Sequence, residues 1–278
     1  MRFGDFFKPV LMLILILVFL FPFLYGLLIS FKPLSYIRMP VLDFSFKRVF
    51  SLDGFTLDKY AKVLLSSDFP RYVLNTSIVF VLTSVIVIPL SFFCGYTLAR
   101  YRTSFHGYFR MLLYAVMMIP VLPALFTLYR WISMLGLYDT HLGLALLYSV
   151  GSIPFSAFLL ENTIKAIPPE VEQQARVDGC GTVGRMLRIV LPLSAPGIGA
   201  VAITLLVSVW NEVFTAIIFT ANRAKTVQVG LADFVARGYT DYSAQAAALV
   251  VASLPMIVLI IIGYRQLIRA MTGGMKGH

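Results

Sequence analysis

Six long apolar runs govern what this chain can fold into. They cover residues 10–29, 73–99, 111–129, 142–160, 197–221 and 246–264. A helix needs about 20 apolar residues to cross the hydrocarbon of a bilayer, and each run is of that order. Six spans also suit a length of 278 residues, with the remainder left for loops. The chain is 59% hydrophobic and only 13% charged, whereas a soluble domain has about 25% charged residues. Its mean hydropathy is +0.86. These values exclude a water-soluble globular protein and a disordered or fibrous one. The expected fold is all-α: a single polytopic membrane domain over 1–278, with six transmembrane helices and a polar loop at 161–195.

The first run follows Arg2 and Lys8. It is too long for a signal-peptide core, and Phe31-Lys32-Pro33 follows it instead of a small-residue cleavage site. It reads as an uncleaved anchor. Pro22, Pro89, Pro120, Pro123, Pro154 and Pro255 lie inside runs. A packed bundle tolerates such prolines because neighbours re-satisfy the freed backbone. They suit either a bundle that bends or one that is simply packed. Glycine and proline also punctuate the fourth run, at Gly151 and Pro154.

The formal charge is +10. Most Lys and Arg lie between the apolar runs, where they anchor helix ends in anionic headgroups. No basic groove interleaved with exposed aromatics is present, so nucleic acid is not expected as a partner. Cys94 and Cys180 have no CxxC neighbour, and His106, His141 and His278 are isolated. No disulfide framework, metal site or catalytic residue is expected. Walker, HExxH and GxSxG patterns are missing as well, so the chain reads as a non-enzyme that binds no ATP itself.

Orientation follows from Lys and Arg in short loops. With the N-terminus inside, twelve lie on the inner side. Leaving out one long outer loop, which weighs less in the rule, four lie outside: Arg130, Arg223, Lys225 and Arg237. Both termini are expected in the cytoplasm.

The inner loop at 161–195 is long for a connection. Pro168 and Pro169 can open a helix, since the missing N–H is an orphan there anyway. Glu170 and Glu172 in its first turn suit the helix dipole. Asp178-Gly179 supplies a stop, with Gly179 able to adopt the left-handed cap conformation. Thr182 is positioned to cap a second helix, in which Val183, Met186, Leu187 and Val190 make an apolar stripe opposite Arg185 and Arg188. Pro192 is expected to end it. The pair reads either as two interfacial helices lying on lipid or as a docking element for a cytoplasmic partner.

The run Gln173-Gln174-Ala175-x3-Gly179-x9-Ile189-x-Leu191-Pro192 resembles the EAA loop of binding-protein-dependent ABC importer permeases. That pattern is Glu-Ala-Ala, three residues, Gly, nine residues, Ile-x-Leu-Pro. Here Gln173-Gln174 replaces Glu-Ala, with Glu172 one position earlier. The similarity extends over nearly the whole chain and is greatest to the maltose-type second permease of carbohydrate importers. Ser30-Phe31-Lys32, the segment from Gly54 to Tyr60, Asn75-Thr76-Ser77, Trp210-Asn211-Glu212 and the tail from Thr272 to Gly277 carry it. Asn75-Thr76-Ser77 also matches a glycosylation sequon, which the bacterial or archaeal setting implied by the resemblance discounts.

The resemblance implies an importer of the cell (inner) membrane built from this chain, a second permease, two ATPase subunits that hold ATP and Mg, and an extracytoplasmic solute-binding protein. The loop helix would be the coupling helix, with Glu172, Gln173, Gln174, Ala175, Asp178 and Gly179 facing the ATPase. Gly273 to Gly277 would be a second contact. The outer segment from Asn222 to Ser243, with Arg223, Lys225, Gln228, Asp233, Arg237, Tyr239, Asp241 and Tyr242, would meet the binding protein, as would Pro33 to Ser67. The solute implied is a carbohydrate; a polyol or glycerol phosphate is the alternative, and a self-sufficient channel the rival of a different class.

Glu212 reads as the one acidic residue well inside a run. Charge there is costly and faces the bundle interior or water. With Trp210 and Asn211 it either lines the translocation pathway, where aromatic faces suit sugar rings, or pairs with a neighbouring helix and fixes packing.

Overall fold

The structure, a computed structural model, describes residues 3–33, 51, 54–101, 105–236 and 241–273. Every regular element among them is helical. In chain order these are α1 (Phe3–Ser30), α2 (Asp58–Leu65), α3 (Phe69–Arg100), α4 (His106–Met118), α5 (Val121–Met134), α6 (His141–Lys165) and α7 (Pro169–Val177). There follow α8 (Thr182–Leu193), α9 (Ala195–Asn211), α10 (Phe214–Phe219), α11 (Val227–Ala236) and α12 (Tyr242–Gly273).

Four helices contain stretches long and apolar enough to cross a membrane: Pro9–Ser30, Phe69–Arg100, His141–Lys165 and Tyr242–Ile262. Six spans are reached when each of two bent pairs counts as one. The third apolar run is one such pair. It breaks at Ile119-Pro120, where both backbones are extended, and its arms meet at 99°. Pro120 forces the break, because the residue before a proline is pushed out of the α region. The fifth run starts inside a second pair, α8 and α9, bent by 70°. It does not continue as one helix to residue 221: α9 ends at Asn211 and extended backbone at Glu212 separates it from α10.

Three further expectations are corrected. Pro192 does not end the second loop helix, which runs on to Leu193 through a π turn at Met186–Val190. The wider turn gives room for a ring that would otherwise collide with the carbonyl four residues back. Thr182 is not the cap; it is the first helical residue, and Gly181 holds the cap position without a side-chain bond. The fourth run extends to Lys165, so Glu161 is a second acidic residue inside a span helix.

The helices belong to two packed units, Met1–Arg71 with Gly230–Pro255 and Tyr72–Val229 with Met256–His278. In the first unit, α1 is exposed on all sides from Pro9 to Leu24. An all-round apolar, exposed helix has lipid as its natural solvent. Its C-terminal end is tied down. Ser30 Oγ shares a 2.6 Å hydrogen bond with the Tyr60 hydroxyl, and the Phe31 ring stacks on Phe55 at 5.0 Å. Buried Lys32 donates to the Ser51 carbonyl at 2.6 Å. Lys59 pairs with Asp241 at 2.6 Å.

In the second unit, α3 and α6 approach closely at Gly95. A Cβ there would sit 2.9 Å from both the Ala157 carbonyl oxygen and the Glu161 nitrogen. Small residues at helix contacts are the expected device where lipid removes the hydrophobic drive between helices. Ser91 Oγ adds a bond to the Ile153 carbonyl at 3.2 Å. One buried cluster then joins Phe92 and Tyr96 of α3, Leu160 and Ile164 of α6, Met186 and Val190 of α8, and Val201 and Leu205 of α9. The 161–195 loop is therefore rooted in the bundle core. A second cluster joins Leu125 and Ile132 of α5 to Leu144 and Tyr148 of α6, Val209 of α9 and Phe219 of α10.

Candidate coupling site

Helix α7 is built as its sequence requires. Pro168 is extended at the cap and Pro169 opens the helix, with Glu170 and Glu172 in the first turn. At its end Gly179 has φ +83°, a conformation that costs other L residues about 1–2 kcal/mol. The Gly179 N–H donates to the Arg176 carbonyl at 3.1 Å and the Cys180 N–H to that of Ala175 at 2.9 Å. These are the two bonds of a Schellman cap. The helix is thus closed at both ends by local geometry.

The residues implied as facing the ATPase divide between two faces. Gln173, Gln174, Asp178 and Gly179 are exposed. Beside them Val177 is 88% exposed, an apolar residue the sequence reading passed over. Val183 and Leu187 of α8 are exposed as well, while Met186 and Val190 of the same expected stripe are buried. Glu172 and Ala175 point inward, each 9% exposed. The carboxylate of Glu172 accepts the Tyr96 hydroxyl on Oε2 at 2.8 Å and Arg100 Nε on Oε1 at 2.6 Å. Arg100 Nη2 reaches the Ile167 carbonyl at 2.8 Å. A cleft of about 200 Å³ opens beside this group, lined among others by Gln173, Arg176 and Arg185. Gly274 to Gly277 of the tail, and Arg237 and Tyr239 of the outer segment, lie outside the described residues.

Deeper in the bundle, Trp210 is 2% exposed and so is a packing residue of this chain, whereas Asn211 is exposed. Asn211 Nδ2 donates back to the Val207 carbonyl at 2.8 Å. Glu212 sits at the break between α9 and α10. Its carboxylate accepts the Tyr148 hydroxyl at 2.9 Å and the N–H groups of Thr215 and Ala216 at 2.9 and 3.1 Å. It therefore caps α10, where a negative charge is favoured, and ties it to α6. These bonds are those of the packing alternative. Glu161, buried in α6, is bound by Arg110 of α4 and by Lys165 at 2.6 Å.

The segment after α10 is held by side chains from distant parts of the chain. Asp139, at φ 55°, accepts the N–H groups of Ala221, Asn222, Arg223 and Ala224 at 2.9–3.1 Å. Burial alone would raise the Asp139 carboxyl, but these four N–H groups outweigh it and hold it below the usual carboxylate range. Asn75 Nδ2 donates to the carbonyls of Arg223 and Lys225, both at 2.9 Å. Its Oδ1 meets His141 Nε2 at 2.8 Å. The Val227 N–H donates to Thr76 Oγ1 at 2.9 Å. Asn75 is 3% exposed with its amide in use, so the sequon cannot carry a glycan in this fold. Of the outer residues named from the sequence, Arg223 and Tyr242 are exposed, Lys225, Gln228 and Asp233 are half-buried, and Asp241 is taken up by Lys59.

Comparison with known proteins agrees with this architecture. Over 224 residues the chain is 30% identical to the sulfoquinovosyl glycerol transport system permease protein SmoH of Agrobacterium fabrum, covering 80% of this chain and 79% of that one. It is 25% identical to the trehalose/maltose transport system permease protein MalG of Thermococcus litoralis, covering 96% and 95%. Among solved structures it superposes on a chain of a bacterial ABC transporter that imports the acidic polysaccharide alginate. The TM-score is 0.77 at 20% identity, with 96% of this chain and 97% of that chain covered. Residues 87–272 match the family described as the binding-protein-dependent transport system inner membrane component, and the chain is a member of that family.

Proposed function

We propose that this chain forms the translocation pathway of an ATP-driven carbohydrate importer together with a second permease. Two ATPase subunits, which alone hold ATP and Mg, grip it from the cytoplasm, where both termini also lie. An extracytoplasmic binding protein delivers the solute. In this reading α7 is the coupling helix, and Gln173, Gln174, Val177, Asp178 and Gly179 form its ATPase-facing surface.

The observation that carries the reading is the loop at 161–195. A short helix is opened by Pro169 and closed by a Schellman cap, is tied to α3 through Glu172, and exposes apolar Val177 and the amides of Gln173 and Gln174 among charged Glu170, Arg176 and Asp178. Transmission of force needs an element with discrete positions, not a flexible linker, and the closed C-terminus and the Glu172 bonds to α3 suit that. An apolar Val177, exposed one helical turn after Gln173 and Gln174, also suits burial against another protein better than permanent exposure to water. The carbohydrate assignment draws on the relatives named for trehalose/maltose and sulfoquinovosyl glycerol transport.

The test is purification of the tagged chain from its native membrane. A nucleotide-binding subunit and a second permease should come with it, and Val177→Asp should release the nucleotide-binding subunit while the second permease stays. Purification of a self-sufficient chain that passes sugars across vesicles without nucleotide would overturn the proposal.

A further inference from the structure

The acidic residue at the start of the loop motif is the natural candidate for an intermolecular ion pair, yet Glu172 is already committed within the chain. Its two carboxylate oxygens are bound separately, one by Tyr96 and one by Arg100. Tyr96 and Arg100 are four residues apart, so both project from one face of α3. Arg100 divides its guanidinium between Glu172 on α7 and the carbonyl of Ile167, in the turn that joins α6 to α7. Its side chain is 15% exposed and that of Glu172 11%. A pair so shielded holds its geometry far better than a surface pair, because water competes poorly for either group.

From this geometry we propose that Tyr96, Arg100 and Glu172 are positioning residues that latch the coupling helix to the end of α3. The two then move as one body when the loop is pushed. This rests on the coupling role assigned above. Without the latch α7 keeps its C-terminal cap, but its link to the bundle reduces to the burial of Ala175 and to the α8 side of the loop. Apolar contacts permit sliding, whereas two directed hydrogen bonds to the Glu172 carboxylate and a third to the Ile167 carbonyl permit a single register. A push on α7 therefore reaches the base of α3 undiminished only with the latch closed. The absence of an acid at position 173 fits the same division of labour: the carboxylate of Glu172 is spent inward, and the exposed positions 173 and 174 that follow it are neutral amides.

The test uses the full chain in the assembled importer, in lipid nanodiscs, with Cys94 and Cys180 replaced by alanine. Spin labels at Gln174→Cys and Thr97→Cys, both exposed positions, report the α7–α3 distance by pulsed EPR. The expected result is one narrow distance that does not change between nucleotide-free and Mg-ATP conditions. Glu172→Gln and Arg100→Gln should each broaden it, and the charge-swapped double variant, Arg100→Glu with Glu172→Arg, should narrow it again. Glu172→Gln should also lose most of the stimulation of ATP hydrolysis by the external binding protein while the ATPase subunits remain bound. A wild-type distance that changes with ATP would overturn the latch, as would a Glu172→Gln distribution as narrow as the wild type. If Glu172→Gln does not assemble, Tyr96→Phe keeps the ring in the core, removes one latch bond and reads the same quantity. The labelled chain alone gives the latch result even where no ATPase subunit binds, so failure of the coupling role and failure of the latch are distinguishable.

Discussion

Replacing Asp139 by Asn isolates the contribution of one charge to the segment 220–227. Asn tolerates a positive φ as Asp does, so the backbone at 139 is not newly strained. One of its two acceptor oxygens becomes an NH2 group that faces N–H donors. Hydrogen bonds to a charged group are worth about 1.5–3 kcal/mol each when shielded. Asn222 and Arg223 are exposed, so water replaces much of what their N–H groups lose, whereas Ala224 is fully buried. Counting the Ala224 bond near its full value and the others lightly gives ~2 kcal/mol. That corresponds to about a thirtyfold rise in the population of the opened segment. Arg223 and Lys225 lie in this segment, so limited trypsin digestion of the purified protein in detergent reads its opening directly. Asp139→Asn should be cut there about thirtyfold faster, provided cleavage is slow against reclosing. The pH dependence has a definite sign. The folded carboxyl lies below its ordinary value of about 3.9. Its stabilisation is thus complete above that pH and fades as pH falls through the folded value. Wild-type cutting by an acid-active protease should rise only in that acidic window, and the Asn variant should lack the rise. Equal cutting of variant and wild type at neutral pH would refute the reasoning.

Gly95→Ala forces a methyl against the backbone of α6, which cannot yield. It should lower thermal stability in detergent by the equivalent of about 1–3 kcal/mol, and an unchanged melting temperature would contradict the close approach. Tyr148→Phe removes one of three bonds to Glu212 and should cost about 0.6 kcal/mol, the mean for such bonds in membrane proteins. A double-mutant cycle with Glu212→Gln should recover that coupling in thermal denaturation. Gly179→Pro removes the N–H that closes α7 and demands a φ near −65° where the chain has +83°. The protein should still insert and bind its partner permease, with binding-protein-stimulated ATP hydrolysis abolished; normal stimulation would count against a rigid loop.

The helical spans and the bounded helix of the 161–195 loop were legible because their signals are local. Apolar length gives the spans. Pro168-Pro169, two early glutamates and Gly179 give a bounded helix without reference to the rest of the chain. The bends at Ile119-Pro120 and Glu212 were less legible, since an apolar run reads the same whether straight or broken. Glu212 was singled out by its charge, but its partner Tyr148 lies sixty-four positions away, and only the folded bundle brings them together. The same holds for Glu172, whose orientation depends on Tyr96 and Arg100, and for Glu161 with Arg110. Asp139 went unremarked because nothing local distinguishes it from any loop aspartate. Its role exists only once residues 221–224 fold over it. The second loop helix ends one residue past Pro192, at Leu193, because a π turn at Met186–Val190 makes room for the ring.

The central claim is that α7 faces the cytoplasm and is covered there by an ATPase subunit. Cysteine at position 174, with Cys94 and Cys180 replaced by alanine, can be probed with a membrane-impermeant maleimide in sealed vesicles of both orientations. The account predicts labelling from the cytoplasmic face alone, lost when the ATPase subunits are bound and regained when they are stripped. Labelling from the outer face, or labelling indifferent to those subunits, would contradict it.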